Sequence, residues 1–502
     1  GGDREKDWRR FSERKSGRQL VLTTFDIVRM DNEDRVSHSH RPKSLHSKHW
    51  DRVILDEAHR ICEQGSKTAR AIRTLQARNR WCITGTPFKN GITDLVALSK
   101  FLLVPPYCNS TWWRCHSQNK HKIKEWRNMF MNIQEKNVLN LPPIVYRNDT
   151  IPARKEEVDV LDKVHSNFTL TPFVRRDVIN LTPSANLLLL SYFNMEAQAD
   201  SEEARTTIIT RQRKRPRELN GDGDHTTFQR NIVPRNITER EKTQEYELLK
   251  IMRLRQAANH PLLITNRSST LHHLLTTPLW DCDIRTHCHA CESLMTTDIT
   301  VPALEPTPAL EPTPAPCNHV LCEECLSGMI MCPCCIAEKL EVTRNARGQT
   351  WRHSSKTSVL AHYLEDVFTA NPHAKLVLFS QWTTCLDLLA FMLDFLNIRF
   401  ERFDGRINGI DERNSVIQKF KTESCSVLLT SLGAGGEGLN LTFANHIVLM
   451  EPYWNLAAEQ QAIDRVHRIG QTQTTFVLRM YMMDSIELWV RDIQYKKNKE
   501  LR

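Results

Sequence analysis

The chain runs to 502 residues, 40% hydrophobic and 25% charged, with 68 Lys and Arg against 59 Asp and Glu for a formal charge of +9. That length accommodates roughly three domains. No run approaches the ~18 uninterrupted apolar residues of a membrane span, and Gly1-Gly2-Asp3-Arg4-Glu5-Lys6-Asp7 lacks signal-peptide character, so a soluble intracellular protein without a membrane partner is expected.

The first apolar runs are Leu20-Val21-Leu22-Thr23-Thr24, Val53-Ile54-Leu55-Asp56 and Trp81-Cys82-Ile83-Thr84. Each is short and closed by polar residues, which predicts strands of a parallel sheet flanked by helices. In open sheets of that kind chemistry gathers at the carboxyl ends of strands, where Asp56 and Thr84 fall. Asp56-Glu57-Ala58-His59 sets two carboxylates there, one able to hold a magnesium ion and the other to orient a water. The plain alternative is a strand followed by an acid-capped helix. Thr23, Thr24 and Thr84 offer hydroxyls and amides at strand ends. Ahead of Asp56 nothing reads Gly-x-x-x-x-Gly-Lys-Ser/Thr, the loop that cradles nucleotide phosphates, so the nucleotide machinery is expected to be incomplete in a chain that starts at Gly1. A sheet lacking that strand exposes its neighbours, and residues before about Phe101 are expected to be less stable than those from Lys375 onward.

Residues 107–240 show no clear pattern, although Trp112 and Trp113 suggest partial packing. The run Arg211-Gln-Arg-Lys-Arg215-Pro-Arg217 reads as an exposed loop: a nuclear localisation signal, a DNA-facing tail, or a solvated charge cluster. Nine of the fifteen cysteines lie between Cys282 and Cys335, and in a reducing compartment such clustering argues for metal rather than disulfides. Cys288-x-x-Cys291, Cys317-x-His319, Cys322-x-x-Cys325 and Cys332-x-x-Cys335 supply four ligand pairs, enough for two tetrahedral zinc ions. Metal would supply much of the folding free energy of so small a module. Cys282, His287, His289 and Cys334 lie close enough to compete, Cys334 being the likeliest impostor. Between the first two pairs Pro302-Ala-Leu-Glu-Pro-Thr307 is repeated as Pro308-Ala-Leu-Glu-Pro-Thr313, a semi-extended loop.

A second set of strands follows: Leu376 to Ser380, Val427 to Thr430, His446 to Met450 and Phe476 to Leu478. After the second of these, the glycines of Gly433-Ala-Gly435-Gly436-Glu437-Gly438 let backbone amides approach a phosphate, although tight turns use glycine for φ > 0 alone. Gln461, Arg465 and Arg468 fall at i, i+4 and i+7 of a helix capped by Asn455, which would align two guanidinium groups for phosphate. The plain alternative is an Asp464 to Arg468 surface pair contributing ~0.3 kcal/mol.

Six segments match, in order, the motifs of a Swi/Snf-type ATPase of helicase superfamily two. Asp56-Glu57-Ala58-His59 resembles motif II and Thr84-Gly85-Thr86-Pro87-Phe88-Lys89-Asn90 motif III. Arg253-Leu-Arg255-Gln256-Ala-Ala-Asn259-His260-Pro261 resembles the inter-lobe helical hallmark. Phe379-Ser380-Gln381-Trp382, Ser431 through Asn440, and Gln461 through Gln471 resemble motifs IV, V and VI. The ligand order of the cysteine pairs is that of a RING finger, so the chain is most similar to the RING-containing subgroup tied to DNA-damage tolerance, the helicase-like transcription factor subgroup.

The resemblance implies an α/β fold of two RecA-like parallel-sheet lobes, the first incomplete, with a zinc-binding RING inserted between them. The divisions would be 1–106 for the partial ATP-binding lobe, 107–240 for a variable insertion, 241–275 for the helical hallmark, 282–340 for the RING and 350–502 for the C-terminal lobe. It implies catalytic roles for Asp56, Glu57, His59, Gln461, Arg465 and Arg468, with His59 linking the nucleotide site to the neighbouring lobe. ATP and magnesium would meet Asp56, Glu57, Gly436, Arg465 and Arg468. Thr23, Thr24, Thr84, Ser380, Gln381, Ser431, Gly433 and Gly435 would meet DNA, largely independently of sequence and with strong salt dependence. The first and third cysteine-rich pairs would share one zinc, the second and fourth the other. The implied partners are double-stranded DNA or chromatin and a ubiquitin-conjugating enzyme, in the nucleus.

One departure is Ile336, next to Cys335, where active RING ligases often carry an Arg or Lys that hydrogen-bonds both conjugating enzyme and ubiquitin. Pro333, Leu326 and Met329 could add apolar contacts to such an enzyme. Phe173-Val-Arg175-Arg176 is read as a diverged Arg-Arg element of the family. The rival reading is a catalytically silent scaffold that binds DNA and zinc.

Overall fold

A computed structural model of the protein describes residues 19–37, 45–63, 65–85, 92–116, 119–133, 136–166, 239–265, 268–276, 332–407, 409–422, 425–435 and 438–501. They fall into two compact units, one reaching Val138 and the other spanning Leu139–Lys499.

The first unit is built from α1 (Phe25–Ser37), β1 (His49–Leu55), α2 (Lys67–Arg73), β2 (Gln76–Cys82) and α3 (Ile92–Leu102). The two strands pair in parallel from His49↔Gln76 to Leu55↔Cys82. Val28, Leu55, Ile61, Ile72, Leu98 and Phe101 form the core. On the other side Ile54 (54%), Trp81 (57%) and Ile83 (53%) stay exposed. The expected strand Leu20–Thr24 does not form. Among the described residues β1 pairs with β2 alone, so this run has no ladder to join, and Leu20 and Leu22 are 81% and 87% exposed. Thr24 begins α1 instead, its Oγ1 accepting from the Ile27 amide at 3.3 Å and its carbonyl from the Val28 amide at 3.1 Å.

Two further helices, α4 (Ser110–His116) and α5 (Lys120–Phe130), explain the tryptophans. Tyr107, Trp113 and Trp126 are buried together with Leu95, and the Trp113 indole donates to the Tyr107 carbonyl at 2.7 Å. Trp112 meets Tyr107 edge-on at 4.7 Å between ring centroids, the geometry favoured by the ring quadrupole.

The second unit opens with β3 (Ile144–Ile151) and α6 (Lys155–Ser166), then α7 (Glu239–Asn259), α8 (Ser268–Thr276) and α9 (Pro333–Lys339). A hairpin, β4 (Glu341–Arg344) with β5 (Thr350–His353), precedes the alternation α10 (Ser355–Ala370), β6 (Leu376–Ser380), α11 (Thr383–Phe395), β7 (Phe400–Phe403), α12 (Ile410–Lys421), β8 (Val427–Ser431) and β9 (His446–Leu449). The unit closes with α13 (Leu456–Ile463), β10 (Thr475–Met482) and α14 (Ile486–Leu501). Six strands form one sheet in the order β3-β10-β9-β6-β8-β7, every pairing parallel.

The continuous apolar runs of the central strands follow from burial on both faces. In β6 Leu376 and Leu378 enter one core and Val377 and Phe379 the other. Val427, Leu429 and Val448 join the first, and Leu428, Ile447 and Leu449 the second. Helices α10 and α11 cover the first face, α12 and α13 the second. This is the expected parallel-sheet lobe. Among the described residues no helix is long and apolar enough to cross a membrane.

The basic run 211–217, the repeat 302–313, Phe173–Arg176, Leu326 and Met329, Thr86 to Asn90, Gly436, and six of the proposed zinc ligands (Cys288, Cys291, Cys317, His319, Cys322 and Cys325) lie outside the described residues.

Candidate active site

In the first unit the parallel ladder sets up the acidic site. Beyond the paired strands, the Ile83 amide donates to the Leu55 carbonyl at 2.8 Å and the Ala58 amide to the Ile83 carbonyl at 2.9 Å. These bonds hold Asp56, Glu57 and Thr84 at neighbouring strand ends. Ala58 and Ile61, both fully buried, anchor the 3₁₀ turn that follows. Asp56 projects into solvent, and its Oδ1 accepts from the Glu57 amide at 3.0 Å.

Glu57 has a left-handed backbone, φ 49° and ψ 49°, which costs a residue with a Cβ roughly 1–2 kcal/mol. Strain of that kind concentrates at functional sites. The Glu57 carboxylate lies 3.2 Å from His59 Nδ1, and the same nitrogen lies 3.3 Å from Thr84 Oγ1. His59 therefore joins the motif II carboxylate to the motif III hydroxyl within one unit. Adjacent hard carboxylate oxygens at a strand end are the donor set magnesium prefers, so Asp56 and Glu57 suit that ion.

In the second unit, motif IV lies at the carboxyl end of β6, but Ser380 is not offered to a ligand. It is fully buried, and its hydroxyl donates to Glu451 at 3.0 and 3.2 Å. The expectation that Ser380 meets DNA is corrected accordingly. The Gln381 backbone amide donates to the same carboxylate at 2.6 Å, and the Gln381 side-chain Nε2 is buried beside it. Burial pushes the Glu451 carboxyl above the usual range, and the Gln381 amide, Lys356 and Arg255 pull against that rise.

Glu451 belongs to a buried polar hub that the sequence reading missed. Asn259, the hallmark residue at the end of α7, donates to Glu451 at 2.9 Å and accepts from Lys356 Nζ at 2.9 Å. Lys356 also donates to the Met450 carbonyl at 2.7 Å and to Glu487 at 2.6 Å. Arg255, one helical turn before Asn259, donates to the Pro452 carbonyl at 2.7 Å and lies over Trp454 and Trp382, 4.7 and 5.7 Å from their ring centroids. The hallmark helix is thus bonded to the end of β6 and to the 451–454 loop ahead of α13. Its own sequence signal was the polar set Arg255, Gln256 and Asn259 around the apolar pair Ala257-Ala258.

The helix expected to carry Gln461, Arg465 and Arg468 on one face is shorter than predicted. Asn455 does cap α13, accepting from the Ala457 amide at 3.1 Å, but the helix ends at Ile463 with Asp464 as its C-cap. Gln461 is helical, whereas Arg465 and Arg468 lie in the following turns. The chain leaves the helix there because Val466 enters the core and the Leu441 amide donates to the Arg465 carbonyl at 3.0 Å. Arg468 Nη1 donates to the Leu439 carbonyl at 3.2 Å, so motif VI is bonded directly to the end of motif V. Asp464 accepts from Gln460 at 2.8 Å, the bond that takes the place of the Asp464–Arg468 pair.

In motif V, Ser431 ends β8, and its Oγ accepts from the Ala434 amide at 3.3 Å to cap a single helical turn, Leu432–Gly435. Gly433 is exposed on that turn. Gly438 has φ +65°, a conformation for which glycine is the natural choice. In the first unit Thr23 and Thr24 are exposed and Thr84 is half-buried, so no strand end holds the threonine pair as the sequence implied.

Of the eight proposed zinc ligands, Cys332 and Cys335 are described. Both are part-exposed, and Cys334 between them is fully buried in apolar surroundings. Among the described residues no group of three or more His, Cys, Asp or Glu is arranged to hold a metal.

Comparison with known proteins gives this geometry its family. An SNF2-related domain matches residues 1–263 and a helicase conserved C-terminal domain matches residues 355–470. The chain is 29% identical to the DNA repair protein RAD5B of Arabidopsis thaliana over 99% of its own length and 38% of that protein. It is 27% identical to the DNA repair protein rad8 of Schizosaccharomyces pombe, over 95% of this chain and 43% of that one. It is also 27% identical to the helicase-like transcription factor of Homo sapiens, over 96% of this chain and 45% of that one. The chain therefore spans less than half the length of these curated relatives. It belongs to the SNF2-related family of helicase superfamily two, among relatives of the RAD5 and helicase-like transcription factor type.

Proposed function

We propose that the chain forms part of a DNA-stimulated ATPase that acts in DNA repair, a motor working on double-stranded DNA or chromatin in the nucleus. The observation that carries this reading is the Glu57–His59–Thr84 constellation, a carboxylate on a strained left-handed backbone at a strand end, beside a histidine it shares with the next motif. Asp56 would ligate the magnesium of bound MgATP, whose chemistry is charge neutralisation on the phosphates. Glu57 would orient the attacking water, and Arg465 and Arg468 would offset charge on the transferring phosphoryl group. Gln381, Gly433 and the backbone of motif V would contact DNA phosphates, which makes binding sequence-tolerant and salt-dependent.

The cysteine-rich stretch extends the proposal. Soft thiolate donors at C-x-x-C spacing suit zinc, and Cys332 and Cys335 would form the fourth of the ligand pairs. A zinc-bearing RING would recruit a ubiquitin-conjugating enzyme. The buried Ile336 offers that enzyme no hydrogen bond, so its docking would rest on other surfaces.

The deciding experiment is steady-state ATP hydrolysis by the longest natural protein containing this chain, with and without double-stranded DNA. Stimulation that disappears in Glu57→Gln supports the motor. Unstimulated, Glu57-independent turnover, or none, would leave the DNA-binding zinc scaffold as the better reading.

A further inference from the structure

We propose that helices α4 and α5 of the first unit form a further contact for the phosphate backbone of double-stranded DNA, on a surface that none of the six motifs contains. This rests on the DNA-binding reading given above. Charge singles the surface out. Residues 110–130 hold five Lys and Arg (Arg114, Lys120, Lys122, Lys124 and Arg127) against one acid, Glu125. Lys122 engages that carboxylate at 2.8 Å, so the two helices carry no further acid to offset the other cations.

Packing fixes which way the charges point. Trp113 and Trp126, each 3% exposed, are buried with Tyr107 and Leu95, and Ile123 and Phe130 pack partly buried against them. With the apolar stripe of α5 turned inward, His121, Lys124 and Asn128 stand exposed at i, i+3 and i+7 along its opposite face. Arg114 is exposed on α4. The corner between the helices is closed by Asn119, whose amide donates to the His116 carbonyl at 2.9 Å while its side chain accepts from the His121 and Lys122 amides at 3.1 and 3.2 Å. The backbone that carries the cations is therefore set before a ligand arrives, which reduces the ordering cost of binding.

Dimensions and chemistry select the partner. Seven residues of helix rise about 10 Å, roughly three base-pair steps of one DNA strand. The outward face thus matches two or three consecutive phosphates, with Lys124 and Arg114 as cations and His121 and Asn128 as neutral donors. Such contacts position a duplex without reading its sequence. Two of the tryptophans are in the core, and Trp112 is flanked by Tyr107, Trp113 and His116, which leaves unpaired bases no stacking platform and favours duplex over single strand.

The test is fluorescence-anisotropy titration of a labelled duplex with the longest natural protein containing this chain, repeated across a salt series. Arg114→Ala/Lys124→Ala should weaken duplex binding about tenfold, equally for unrelated sequences, and make the slope of log K against log salt shallower by about two, ~0.9 for each lost phosphate contact. The concentration of duplex that half-stimulates ATP hydrolysis should rise by about the same tenfold. Arg114→Lys/Lys124→Arg should restore affinity and slope. Lys67→Ala/Arg70→Ala, which removes two exposed cations from α2, should leave the slope unchanged. A slope unaltered by the alanine pair in α4 and α5, or flattened equally by the α2 pair, overturns the contact and leaves the DNA-binding reading intact. A loss confined to single-stranded DNA overturns the choice of duplex. Wild-type protein that binds no duplex overturns the DNA-binding reading itself.

Discussion

Lys356→Met removes the centre of the buried hub while keeping its volume. The ammonium and its partner Glu487 are both completely buried, and Lys356 Nζ serves three acceptors, Glu487 at 2.6 Å, the Met450 carbonyl at 2.7 Å and Asn259 at 2.9 Å. After the substitution the Glu487 carboxylate retains the Met482 amide at 2.7 Å but loses its counter-charge. Breaking one side of a buried pair in this way costs about 3–5 kcal/mol, because the remaining charge stays desolvated. At about 2–4 °C per kcal/mol for a large domain, the melting temperature should drop on the order of 10 °C. Lys356→Met/Glu487→Gln discards the stranded charge and should recover at least ~1 kcal/mol, a coupling typical of residues in direct contact. The loss should also reach the end of β6, since Asn259 links Lys356 to the carboxylate that binds Ser380 and Gln381. Urea denaturation of the single and double variants measures all of this. A single-variant loss under ~1 kcal/mol, or strict additivity in the double, refutes the idea of one coupled hub.

Three other outcomes follow from the same structure. Burial depresses the pKa of His260, His353 and His446 to about 4, below the ordinary ~6.5. Because the unfolded chain takes up protons first, the stability these groups confer is complete above pH ~6.5 and falls away as the pH drops towards 4, by up to about 3 kcal/mol for His260. Denaturation midpoints that stay flat between pH 7 and pH 4 would contradict this. Limited proteolysis should cut the first unit before the second, since Ile54, Trp81 and Ile83 leave one face of its two-stranded sheet uncovered, and equal resistance would argue otherwise. Ile336→Arg puts a charge into a fully packed site and should cost several kcal/mol, about 3 or more, so calorimetry finding a stable protein would remove Ile336 from the core.

The central strands were legible because burial on both faces writes itself as an unbroken apolar run, as in Leu376 to Phe379. Edge strands carry no such signal. β3 is largely exposed along its length, and β7 reads Phe-Glu-Arg-Phe, so neither stood out. The acidic turn was legible as chemistry, but the left-handed Glu57 was not, since nothing in Asp-Glu-Ala-His calls for positive φ. Helical spacing correctly placed Asn455 and Gln461, then failed at Arg465, where a tertiary bond from Leu441 and the burial of Val466 outweigh periodicity. Ser380 sits at a strand end like a ligand-binding residue. Its commitment to Glu451, seventy-one positions away, could only be seen in three dimensions.

The most direct test of the central claim is single-turnover hydrolysis of prebound ATP in the presence of double-stranded DNA, in the longest natural protein containing this chain. If Glu57 and Arg468 serve one reaction, Glu57→Gln and Arg468→Ala should each slow the step by about 100-fold or more, and the double variant should be little slower than the worse single. Hydrolysis at the wild-type rate in either single variant would contradict the account.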